Sequence, residues 1–157
     1  MRKRLIIPVI QNKPLPHQDW MDLETLAQVE ISSEGALHPI EFALTPDIEH
    51  SWKAARPGKQ TIRLIFDEPQ KIQHIRLQFW EDEQARTHEF LLRYYSDREM
   101  SYKDIVRQQY NFSPPHTSDE IENYTVKLED VTELELIINP DISGGSAKAS
   151  LAGLQLA

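Results

Sequence analysis

The chain contains no cysteine, which excludes a disulfide framework, thiolate metal sites and a cysteine nucleophile together. It also lacks any apolar run near the ~18 residues that a membrane-spanning helix requires. The most hydrophobic N-terminal stretch, Leu5-Ile6-Ile7-Pro8-Val9-Ile10, follows a basic Met1-Arg2-Lys3-Arg4 but ends in Gln11-Asn12-Lys13. That run is too short for an export signal and reads as a first strand with a charged tail. Past the tail no basic stripe appears, and the formal net charge is −8. Without cations to neutralise phosphates, nucleic acid is not an expected partner. The lack of cysteine and of an export signal together make the cytoplasm the expected compartment. Glycine is sparse too, 5 residues against 10 prolines. That ratio speaks for many loops and turns and against a helical bundle.

Catalytic signatures are also missing. There is no GxSxG, P-loop, GxGxxG or HExxH spacing, and the six histidines (His17, His38, His50, His74, His88, His116) stand one by one. A hydrolytic or nucleophilic centre needs a base, an orienting partner and a nucleophile in contact. His74 falls at a polar-facing strand position and the other five in expected loops, so all six read as solvated or locally bonded. Acidic groups such as Glu81-Asp82-Glu83 and Asp119-Glu120 read as solvated loop charge. The chain is therefore expected not to be an enzyme.

What is present is alternation. With 157 residues, 39% hydrophobic and 27% charged, the chain suits a single soluble domain spanning 1–157. After the loop at Pro14 to Asp19, Asp22 to Leu26 forms a turn or short strand, and Ala27, Val29 and Ile31 alternate with polar neighbours. Ser33 to Lys59 is irregular, with one helical turn around Ile40 to Leu44. Ile62, Leu64 and Phe66 alternate, Asp67-Glu68-Pro69-Gln70 turns the chain, and Ile75, Leu77 and Phe79 follow. After a polar loop from Glu81 to His88 come Phe90, Leu92 and Tyr94, then a turn at Ser96 to Glu99. Val106 to Phe112 is a further strand, with Tyr102 to Arg107 open to a helical turn. Asn111 to Glu122 is read as loop, followed by the alternating sets Tyr124-Val126-Leu128 and Leu134-Leu136-Ile138. The loop Asn139 to Gly145, with two glycines, reads as a tight turn or as a small anion-binding nest, the turn being preferred. Ala152, Leu154 and Leu156 close the chain. Period-2 alternation in about eight strands, each with one wet face, predicts an all-β, antiparallel sandwich of Greek-key or jelly-roll type.

Several segments carry a resemblance to a known family. Val29-Glu30-Ile31-Ser32-Ser33-Glu34, Ala43 through Trp52, Pro57-Gly58-Lys59-Gln60 through the Pro69-Gln70-Lys71-Ile72 turn, Ile75-Arg76-Leu77 and Phe90-Leu91-Leu92-Arg93-Tyr94-Tyr95-Ser96-Asp97 occur in a familiar order. Over roughly 27–157 the chain resembles the discoidin, or coagulation factor type C, domains of the galactose-binding-like superfamily, in a divergent, cysteine-free, bacterial form. The resemblance implies a jelly-roll sandwich, Trp52 in the core and a ligand pocket among loops at one end. It also implies a structural calcium bound through Ala-x-Asp-Gly-x-x-x-Thr-x-Trp. Anchored on Trp52, however, those positions hold Thr45 for Asp, Pro46 for Gly and His50 for Thr. Hard cations want several carboxylate or carbonyl oxygens, and the substitutions leave only Asp47 and Glu49 as metal candidates. No cofactor is expected unless that calcium survives.

A sugar face stacks on an aromatic plane while polar side chains bond its hydroxyls, and loops on a sandwich present both. Trp80 ends a strand beside Glu81-Asp82, half exposed. With the end-loop residues His38, His50, Arg56 and Arg86 it makes up the candidate ligand site. The expected function is a non-catalytic binding module, carbohydrate being the first ligand class. The alternative is an intracellular protein–protein interaction domain that keeps the fold without a sugar site. Oligomeric state is open at this level.

Overall fold

A computed structural model describes residues 19–47 and 49–157; the strand expected at Leu5–Ile10 lies outside them. Two four-residue helices, α1 (Leu23–Leu26) and α2 (Glu41–Leu44), accompany eight strands: β1 (Ala27–Ile31), β2 (Trp52–Lys53), β3 (Gln60–Trp80), β4 (Arg86–Ser96), β5 (Ser101–Phe112), β6 (Asp119–Asn139), β7 (Ser150–Leu151) and β8 (Gly153–Leu156). Helix α2 sits where the helical turn is expected, and α1 replaces the expected turn or strand at Asp22–Leu26 with a single helical turn.

The architecture rests on two 21-residue strands that serve both faces of the sandwich. The first half of β3 pairs with the second half of β6 (Gln60↔Ile138 to Ile65↔Glu133). Its second half pairs with the start of β6 (His74↔Thr125 to Trp80↔Asp119). The expected turn at Asp67–Gln70 is thus a correction: the chain does not reverse there. Register shifts between Ile65 and His74 bend β3 instead, and Asp130, at φ 54°, lies in the facing stretch of β6. Bulges leave a residue unpaired and increase local twist, which carries one strand around a sandwich corner. β1 pairs with β3, β4 with β6 and β5 with β4; β8 pairs with the second half of β3, and β2 with β7, all antiparallel. β5 runs unbroken through Tyr102–Arg107, so no helical turn forms there.

Alternation does the folding work. Every second residue of β4 from Arg86 to Ser96 is buried, as a strand with one face on a core requires. Ile62, Leu64, Phe90, Leu92, Leu134 and Leu136 meet Ile75, Leu77, Phe79, Tyr124, Leu154 and Leu156 in a continuous core. Trp52 is fully buried, and its indole N–H donates to the Ser33 carbonyl at 3.1 Å, so its one polar atom is not left unpaired. One residue on the wet face escapes the expected pattern. Glu135 is 1% exposed because Arg63 (2.6 Å) and Arg93 (2.5 Å) close over its carboxylate, and the Arg93 guanidinium also lies 4.4 Å from the Tyr102 ring centre.

Candidate functional site

The site grows from the end of β3. Period-2 geometry turns Phe79 into the core and Trp80 outward, where its side chain remains 43% exposed. Trp80 pairs in register with Asp119, the first residue of β6, and Gln78 with Ile121. The Gln78 amide reaches the Asp119 carboxylate at 3.4 Å. Non-local pairing thus sets an indole, an amide and a carboxylate side by side.

A short loop completes one wall. Asp47 Oδ1 accepts the amides of Glu49 (2.7 Å) and His50 (2.9 Å), and the carboxylate also meets His50 Nδ1 at 3.0 Å. The Glu49 amide and then the His50 ring hold the Asp47 carboxyl below its ordinary range. Phe42 packs against the His50 ring, centroids 4.6 Å apart. These contacts tie Asp47 to Glu49 and His50, and His50 to Phe42. Behind it, Pro46 lies so close to Gly153 on β8 that an added Cβ would stand 3.2 Å from it. Asp47, Glu49, His50, Gln78, Trp80 and Asp119 border a hollow of about 240 Å³.

Trp80 also borders a second hollow, of about 300 Å³, with Lys53, Asp82, Glu83, Arg86 and Lys148. Arg86 serves here as a clamp. Its side chain is 2% exposed, its Nε donates to Glu81 at 2.5 Å, and its Nη1 donates to the Pro140 carbonyl at 2.6 Å. The cation thereby ties the Glu81 loop to the Asn139–Gly145 segment. In that segment Asp141 Oδ1 takes the amide (3.1 Å) and hydroxyl (2.6 Å) of Ser143, and the Gly144 amide donates to the Asp141 carbonyl. Gly144 and Gly145 have φ of 85° and 96°, a conformation glycine adopts freely. The segment is a tight turn in which Asp141 takes the Ser143 and Gly144 amides, while the Ile142 amide donates to the Thr87 carbonyl at 2.9 Å.

Of the sequence candidates, then, His50 and Trp80 share the first hollow with Asp47 and Glu49, and Arg86 joins Trp80 at the second. His38 and Arg56 line neither: His38 makes a tight turn with Gly35, and exposed Arg56 donates to the Ser32 carbonyl at 3.0 Å. Gln78 and Asp119 are not among the sequence candidates for the site, Asp119 being read there as solvated loop charge. Gln78 occupies an outward alternation position next to Trp80, a readable signal, whereas Asp119 lies 39 positions from Trp80 and only sheet register joins them.

Asp47 is occupied by local amides, and among the described residues no three His, Cys, Asp or Glu side chains converge as a ligand set.

Two histidine and acid readings are corrected beneath the site. His88, expected in a solvated loop, lies in β4 at 1% exposure, ringed by Phe79, Phe90 and Phe112 at 4.6–5.9 Å. Glu120, expected as loop charge, is equally buried in β6 and meets His88 Nε2 at 2.6 Å. Strand alternation continues to β6's first residues and turns them inward. Beside the pair, the Gln108 amide donates to Glu122 and Tyr124 donates to Gln108, both at 2.7 Å. Burial pushes Glu120 up to about 7, while burial and then the Arg86 charge push His88 down to about 3. Both shifts favour neutral forms, as a low-dielectric surrounding does.

No protein-family model matches the chain, and no curated protein matches it in sequence. Solved structures do. The family 32 CBM (carbohydrate-binding module) of C. perfringens NanJ, in complex with galactose, is 11% identical over 87% of this chain and 96% of that one, with TM-score 0.65. The CBM32 of AlyQ, in complex with 4,5-unsaturated mannuronic acid, is 13% identical over 89% and 98%, TM-score 0.62. The C-terminal domain of a chitobiase from Bacteroides fragilis is 17% identical over 88% and 97%, TM-score 0.61. The chain therefore shares the antiparallel β-sandwich fold of these structures, the fold that the sequence resemblance implies. Among the described residues no helix is long and apolar enough to cross a membrane.

Proposed function

We propose that the chain works as one non-catalytic carbohydrate-binding module, holding a sugar ring against Trp80 at the end of the sandwich. The observation that carries this reading is the half-exposed indole between two hollows bordered by hydrogen-bonding side chains. An aromatic plane beside a few fixed polar groups is the arrangement a small polar ligand needs. Support also comes from the sugars in the NanJ and AlyQ structures of the same fold. The acid–base pair His88–Glu120 borders neither hollow, so it fits a structural role. The protein-interaction alternative needs a contiguous apolar patch. Among the described residues, exposed Leu37, Met100 and Ile142 stand on three separate turns, and Trp80 and Ile121, on paired strands beside the first hollow, make only a small apolar surface.

Melting temperature against a panel of neutral, amino and uronic sugars tests the proposal. For a millimolar ligand present at ~20-fold excess over Kd, mass action adds about 2 kcal/mol, or ~4–7 °C for a domain of this size. Trp80→Ala should abolish the shift while leaving the ligand-free melt within ~1 °C. A flat panel, confirmed by calorimetry at millimolar ligand, overturns the reading.

A further inference from the structure

Building on that reading, we infer that the hollow between Trp80 and the Asp47–His50 loop selects a sugar bearing a free amine, a de-N-acetylated hexosamine unit. Its border holds three carboxylates, Asp47, Glu49 and Asp119, and no lysine or arginine. The remaining titratable group, His50, has Nδ1 held by Asp47. The fourth wall is an exposed indole, the aromatic face that attracts a cation best. An ammonium seated there meets carboxylates from two chain segments and a π-face. A uronate or sulfated ring would face like charge on the border of the hollow.

The adjoining hollow does not share this polarity. Lys53, Arg86 and Lys148 are matched there by Glu81, Asp82 and Glu83, so charge discrimination falls on the Asp47–Asp119 side. At about 240 Å³ that hollow lies below the ~300 Å³ at which small-molecule sites begin. It therefore suits one ring or pendant group, with the rest of a glycan passing over Trp80. The net charge of −8 adds a long-range term that draws cationic glycans and repels anionic ones.

Calorimetry with a chitosan oligomer (free amines), the matching chitin oligomer (acetylated) and an alginate oligomer, at low and high salt, tests the inference. The chitosan oligomer should bind roughly tenfold tighter than chitin at low salt, and the ratio should shrink as salt screens the carboxylates. Asp119→Asn and Glu49→Gln, both exposed and shape-conserving, should each cut the ratio about threefold, with thermal melts confirming that the variants fold. Equal affinity for chitosan and chitin, tighter binding of alginate, or a ratio that survives both substitutions overturns it. If a neutral sugar binds through Trp80 and the amine ratio is unity, only this inference falls. If no sugar of any charge binds, the proposed function falls with it.

Discussion

Replacing Glu120 with glutamine should change the pH dependence of stability in a sign-specific way. In the folded chain the buried Glu120 carboxyl is raised from 4.5 to about 7. A raised group contributes stability that is fully present below its unfolded value and is lost as pH rises through the folded value. His88 is depressed from 6.5 to about 3, so its contribution is present above 6.5 and is lost as pH falls. Between pH 4.5 and 6.5 the two slopes oppose. The folded pair binds one proton on Glu120, the unfolded pair binds one on histidine, and the wild-type contribution is flat. Glu120→Gln removes one slope and exposes the other. Over those two pH units the difference in unfolding free energy, wild type minus variant, should fall by about 2 kcal/mol as pH rises, a little under the full 1.36 kcal/mol per unit because Glu120 is part-titrated at each end.

Urea unfolding followed by tryptophan fluorescence at pH 4.5, 5.5 and 6.5 measures this directly. Subtracting variant from wild type cancels the other carboxylates, which titrate in both. A difference that stays constant within ~0.5 kcal/mol would show that Glu120 does not change protonation in this window. A difference that rises with pH would show that the folded chain holds a proton on Glu120 less tightly than the unfolded chain does. Either result refutes the argument that burial dominates here.

Glu135→Gln should destabilise by about 2 kcal/mol in urea unfolding. Loss of a buried partner generally costs ~3–5 kcal/mol, but Arg63 and Arg93 are 34% and 32% exposed, and water recovers part of that. Gly153→Ala brings a Cβ to 3.2 Å from Pro46 and should shift the Asp47 loop. Its expected cost is ~1–2 kcal/mol, with weakened sugar affinity by calorimetry although residue 153 bears no polar side chain. Asp47→Ala strands two loop amides and frees His50, so the chain should lose ~1 kcal/mol and most of the affinity in the same assay.

Much of the fold is written in local pattern. The strands at Ala27–Ile31, Gln60–Phe66, Ile75–Phe79 and Phe90–Tyr94 could be read because burial on one sheet face imposes period 2. The helical turn at α2 and the tight turn around Gly144 followed from equally local chemistry. Trp80 could be read as half exposed because it falls one step past the inward Phe79. Pairing and burial of polar groups were different. Nothing local distinguishes a chain reversal at Asp67–Gln70 from a bulge that carries β3 round a corner, since both need the same turn-forming residues. His88 and Glu120 lie 32 positions apart and Trp80 and Asp119 lie 39 apart. Whether such residues are solvated loop charge or a buried pair depends on sheet register, which is a property of the packed chain. Amino-acid order by itself determined the class of sandwich and the aromatic that faces outward. Tertiary structure alone decided which acids surround that aromatic, because cross-strand pairing sets neighbours that chain separation cannot.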